Sequence, residues 1–112
     1  MTFKVAVVQD SPVLFNLHST IEKVEIITRK AAKNNAQLIV FPEAFISAYP
    51  KGLDFGAKIG SRTDKGRNEF LLYYNSSLEF NSKEYFKLLD IAKKNKIFLV
   101  IGVIEKTPGT LY

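Results

Sequence analysis

The feature that most constrains this chain is Leu38-Ile39-Val40-Phe41, four apolar residues in a row, closed by Pro42 and followed at once by Glu43. A short run with no polar member is expected of a strand covered on both faces. Pro42 has no N–H to give to a ladder, so the strand is expected to end there. Glu43 then stands just past the C-terminal edge of a buried strand, flanked by Ala44 and Phe45. In open α/β sheets that edge is where ligands bind. A carboxylate held among apolar neighbours is poorly solvated, which makes it a better proton acceptor than one in water. From position alone a solvated loop acid is the favoured reading, since buried sites are the minority use of Glu.

The segments before this stretch supply a partner for it. Residues 3–9 read as a first strand, with Val5 and Val7 on one face and Ala6 and Val8 on the other. Both faces are apolar, so the strand is expected to be central in its sheet. Asp10-Ser11-Pro12 ends it with turn chemistry, the preferred role for Asp10, although Gln9 and Asp10 could also reach a site at that strand's end. A helix is expected over residues 17–34, with Leu17, Ile21, Val24, Thr28 and Ala31 at helical spacing and Ile27 and Ala32 widening the stripe. Either Asn16 or Ser19 caps it, Glu22 being the reciprocal partner in the second case. Asn34-Asn35 suits a left-handed turn at its end. Strand, helix and strand with short links form a βαβ unit with parallel strands and a right-handed crossover.

Residues 46–81 are weakly periodic. Their first half, which carries Gly52, Gly56 and Gly60, reads as loop, and a short helix is expected from about Asp64 through Arg67, Phe70, Leu71 and Tyr74. Ser82 caps a further helix whose expected core stripe is Tyr85, Leu88, Leu89 and Ala92, with Asn95 as terminator. Residues 97–104 form an apolar strand broken by Gly102. Thr107-Pro108-Gly109-Thr110 then has the proline and glycine placement of a type II turn, with Leu111-Tyr112 starting the partner strand of a hairpin. This alternation defines an α/β fold.

Several function classes drop out. The 112 residues contain no cysteine, so there is no disulfide framework, thiolate metal site or cysteine nucleophile. The single histidine, His18, has no second histidine to pair with and reads as a surface residue. The net charge is +5, but the lysines are dispersed among acids, and nucleic-acid binding needs a clustered basic face or a recognisable module. No apolar run approaches the roughly 20 residues of a membrane span, and the N-terminus lacks a signal-peptide pattern, so a cytoplasmic location is expected.

Phe41-Pro42-Glu43-Ala44-Phe45-Ile46, continued by Ala48-Tyr49-Pro50-Lys51-Gly52, resembles the nitrilase family of carbon–nitrogen hydrolases. The similarity continues through Phe55-Gly56, Gly60, Gly66-Arg67, Phe70 and Tyr73, a segment like that of the nitrile- and cyanide-hydrolysing branch. It extends to Ile101-Gly102-Val103-Ile104-Glu105-Lys106 and Thr110-Leu111-Tyr112. The resemblance implies that residues 1–112 are the N-terminal part of a single domain with a four-layer αββα sandwich, truncated at its C-terminal end. It implies a hydrolase that converts a small-molecule nitrile to carboxylic acid and ammonia through a Glu-Lys-Cys site, with no metal or organic cofactor. The complete protein would be a homo-oligomer, a dimer or a spiral.

Carried over by motif, Glu43 is the catalytic base and Tyr49 a substrate-binding residue on the loop after it. The family's lysine and cysteine lie farther along than this chain extends, so the chain alone is expected to be inactive. A catalytically dead fragment serving as a subunit-interaction remnant is the alternative. Arg67 is expected to hold structure through a buried or half-buried carboxylate contact, and Glu105 through hydrogen bonds at a strand end; a solvated charge is the alternative for both.

Overall fold

A computed structural model describes residues 2–48, 53 and 62–112. Three parallel strands form its centre: β1 (Val5–Val7), β2 (Leu38–Val40) and β3 (Phe98–Val100), in the order β1-β2-β3. The helix α1 (Leu17–Lys33) connects the first two. The helices α2 (Asp64–Asn75) and α3 (Lys83–Asn95) lie between the second and third. Because the strand order advances in one direction, right-handed crossovers place α1 and α3 on the same face of the sheet. There they pack on each other and on the strands: Ile21 and Val24 of α1, Ile39 of β2, and Leu88 and Ile91 of α3 form one buried cluster.

The register shows which side chains face the helices. Ala6, Ile39 and Leu99 stand in one row across the sheet and point into this core. The rows on either side, Val5-Leu38-Phe98 and Val7-Val40-Val100, alternate to the opposite face. That face is open. Val7 is 77% exposed and Phe98 72%.

This corrects two expectations. The strand at residues 3–9 is shorter and lies at the sheet edge; β2 takes the centre. Apolar residues on both faces say that both faces are built to be covered, and carry no information about lateral neighbours. Nor is β2 covered on both sides here: Ile39 is fully buried, while Leu38 and Val40 are half-buried.

The helix ends follow their sequence signals closely. Asn16 caps α1, its side-chain oxygen accepting from the Ser19 N–H at 2.9 Å. The Ser19–Glu22 alternative is not used, and Glu22 instead meets exposed His18 at 3.2 Å. At the other end Asn35 adopts φ 64°, and the Asn35 and Ala36 N–H groups donate back to the carbonyls of Ala32 and Ala31. Those two bonds form a Schellman ending. Ser82 caps α3 by accepting from the Tyr85 N–H. Thr63, one residue ahead of the expected start, caps α2 by accepting from the Gly66 N–H.

The α3 core stripe differs from expectation at two positions, gaining Ile91 and losing Leu89. Leu88 and Ile91 are buried, whereas Leu89 is 49% exposed. Leu89 lies about 100° round the helix from Leu88, outside the arc that α1 and the sheet cover. In α1 the buried set gains Thr20, whose hydroxyl donates to the Val13 carbonyl at 3.0 Å and accepts from the Val13 N–H.

Beyond β3 the chain forms the hairpin expected from its turn residues. The strands β4 (Lys106–Thr107) and β5 (Thr110–Leu111) pair antiparallel around Gly109, whose φ of 77° supplies the left-handed position of the turn. The Tyr74 hydroxyl of α2 donates to the Thr107 carbonyl at 2.6 Å and fixes the hairpin to that helix. Arg67 does not make the buried contact expected of it. Its guanidinium is exposed, 3.6 Å from the carboxylate of the still more exposed Asp64. The hydrogen bonds found at Glu105 are main-chain ones, exchanged with Tyr112. No described helix is long and apolar enough to cross a membrane.

Candidate active site

Parallel strands deliver their C-terminal ends to one edge. Asp10 follows β1, Glu43 follows β2 and Gly102 follows β3, so the three meet at the edge where an open α/β sheet binds ligands. Glu43 stands on a tight turn with Ala44 and Phe45. Ala44 and Phe45 are buried, and Phe45 stacks at a tilt on Phe41 with ring centroids 5.1 Å apart. Ala44 holds φ 47°, a left-handed conformation that a non-glycine residue adopts only when its surroundings impose it.

Those surroundings are main-chain bonds to the β3 segment. The Phe41 N–H donates to the Val100 carbonyl at 2.9 Å and the Ile46 N–H to the Gly102 carbonyl at 3.2 Å, while the Ile104 N–H donates to the Ile46 carbonyl. Below the turn, Ser47 is buried with its hydroxyl 3.2 Å from that of buried Ser77. Ser77 commits its proton to the Tyr73 carbonyl at 2.8 Å, so Ser47 is the donor between the two hydroxyls. The end of α2 thereby anchors the segment that carries Glu43.

The Glu43 side chain is exposed. It opens into a cavity of about 310 Å³, with Asp10, Ser11 and Pro12 on one wall and Glu43, Phe45 and Ala48 on the other. The apolar neighbours of Glu43 turn inward and leave its carboxylate wet, so the desolvation expected from its flanks is not met by these residues. The opposite wall is fixed by charge. Lys23 of α1 reaches the Asp10 carboxylate at 2.8 Å and donates to the Ser11 carbonyl at 2.6 Å. The hydrogen bond from Lys23 and a second from the Ser11 N–H hold the Asp10 carboxyl below the usual aspartate range.

A larger cavity, about 400 Å³, lies between α1 and α3 beside Ile21, Glu25 and Lys87. Glu25 and Lys87 are paired there at 3.2 Å, and it lies away from the strand ends. Among the described residues no group of His, Cys, Asp or Glu could hold a metal ion.

Of the two site residues expected from sequence, the structure places Glu43 in the edge cavity. Tyr49 lies outside the described residues. Three participants were not legible as such: Lys23, Ser77 and Gly102. Only Gly102 left a signal, since a glycine interrupting an apolar strand often marks the close approach of another backbone.

A family model described as carbon–nitrogen hydrolase matches residues 4–112. A bifunctional nitrilase/nitrile hydratase of Nicotiana tabacum is 44% identical over 111 residues, 99% of this chain and 32% of its own length. An arylacetonitrilase of Trametes versicolor is 43% identical over 112 residues, 99% of this chain and 35% of its own. An aliphatic nitrilase of Sinorhizobium fredii is 44% identical over 110 residues, 98% and 36% respectively. The chain thus spans about a third of the length of the curated relatives it matches.

Proposed function

The chain belongs to the carbon–nitrogen hydrolase family, and from that premise we propose that it supplies the glutamate wall of a nitrile-hydrolysing site, with Glu43 as general base. The observation that carries the proposal is Glu43's place: a carboxylate on a braced turn at the strand edge, facing a cavity. The names of three relatives, nitrilase/nitrile hydratase, arylacetonitrilase and aliphatic nitrilase, support nitriles as the substrate class.

In this reading Glu43 takes the proton from a cysteine thiol carried by the rest of a family-length protein. The thiolate adds to the nitrile carbon, one C–N π bond breaks, and the nitrogen takes up the proton that Glu43 accepted, which gives a thioimidate and returns Glu43 to its carboxylate form. A lysine ammonium, also outside this chain, offsets the negative charge that builds up on nitrogen during attack. Glu43 next accepts a proton from water as the water adds to the thioimidate carbon. Ammonia leaves, and a second water releases the carboxylic acid and regenerates the thiol. Tyr49, six residues beyond the base, is proposed from sequence as a residue of the substrate pocket.

The same reading makes the 112-residue chain inactive by itself. A base without a thiol can only activate water, a much poorer nucleophile toward a nitrile carbon than a held thiolate. The test compares ammonia release from a panel of nitriles and cyanide by two proteins. One is the chain alone; the other is the chain joined in frame to the C-terminal two-thirds of the Trametes versicolor relative. Release by the joined protein only is expected. Release by the chain alone that disappears in Glu43→Ala would contradict the account, as would a folded joined protein inactive on the whole panel.

A further inference from the structure

We propose that Gly102 is a positioning residue for Glu43: its missing side chain is the space in which the Glu43–Ala44 backbone is seated. The inference rests on the reading of Glu43 as the base. A Cβ built on Gly102 would stand 2.6 Å from the Ala44 nitrogen and 3.0 Å from the Glu43 Cα. The first of these would have to open by most of an ångström to reach ordinary van der Waals contact. What it meets is main chain, which cannot swing aside as the end of a flexible side chain can.

Gly102 is not needed there for its own conformation. Its φ lies outside the left-handed region, unlike that of Gly109. Space, not backbone freedom, is therefore the property that position 102 contributes. The turn has little room to retreat, because the bonds from Phe41 to Val100 and from Ile46 to Gly102 tie it to the same segment on both sides. Ala44 already holds φ 47°. A side chain at 102 would therefore shift the Glu43 Cα outward, and the carboxylate with it, while the helices and their core stay in place. A displacement of about 1 Å in a reacting group is sufficient to lower a rate about 10²-fold.

The test uses the joined, family-length protein and measures kcat and KM for Gly102→Ala, Glu43→Gln and the two combined. If Gly102 acts through Glu43, Gly102→Ala lowers kcat about 10²-fold with KM within about threefold. The combined variant is then no slower than Glu43→Gln alone, because a base already lost cannot be misplaced. Should Gly102→Ala not fold, the second variant adds Ala44→Gly, which gives the left-handed turn freedom to move aside; the same loss in kcat is expected. Wild-type kcat in the Gly102 variant, with Glu43→Gln inactive, would overturn this inference alone. Losses that multiply in the combined variant would also overturn it. Wild-type turnover by Glu43→Gln would remove the reading beneath it.

Discussion

At the scale of single residues, the edge cavity has two walls of different character. Glu43 is held through its backbone, and its exposed side chain lines the cavity. Asp10 is held through its carboxylate, by Lys23 and by the Ser11 N–H. A carboxyl held below its ordinary range stabilises the fold while it is ionised. That contribution is therefore complete at neutral pH and is lost as the pH falls through Asp10's depressed value, below the usual aspartate range. In Lys23→Ala the Asp10 carboxyl is expected to titrate higher, toward that usual range, followed by NMR. An unchanged titration would show that Lys23 is not the cause. Glu43 was legible because proline, carboxylate and apolar run are adjacent in the chain. The Asp10–Lys23 pair was not, since 13 residues separate its members and nothing local links them.

At the scale of elements, the ends of α1 and the start of α3 were legible from their capping residues, while the caps of α2 at Thr63 and of α3 at Lys96 were not, and what chiefly escaped was how elements meet. Asn16, Asn35 and Ser82 do chemically what their types and positions imply, because a cap is a contact with the chain's own next turn. Strand order is a different kind of information. The sequence of β1 records that both faces are apolar, and nothing in Val5, Ala6 and Val7 says that β2 will take the centre. The Leu89 expectation failed for a similar reason: the covered arc of α3 is set by where α1 lies. The seam between the Glu43 turn and α2 is likewise tertiary. Removing its middle hydroxyl, in Ser77→Ala, leaves the buried Ser47 donor without its acceptor. A loss of about 1–3 kcal/mol is expected, measured by denaturant unfolding of the joined protein. A change below about 0.5 kcal/mol would show that Ser47 finds another partner.

At the scale of the whole molecule, the bare sheet face is the dominant feature. Val5, Val7, Phe98 and Val100 project from it, each 46% exposed or more. In an αββα sandwich this is the face on which a second sheet packs, and the chain spans about a third of its relatives' length. The isolated chain is therefore expected to self-associate through this face, and Val7→Lys with Val100→Lys to reduce the association, by sedimentation velocity. A wild-type chain that stays monomeric at high concentration would contradict this. The proposal that this chain carries the base of a nitrile-hydrolysing site rests on the carboxylate of Glu43. The most direct measurement is ammonia release from a nitrile by the joined protein and by its Glu43→Gln variant, which keeps the shape of the side chain and removes its basic oxygen. A rate lower by about 10²–10⁴ is expected in the variant; turnover equal to that of the unsubstituted protein would remove Glu43 as the base.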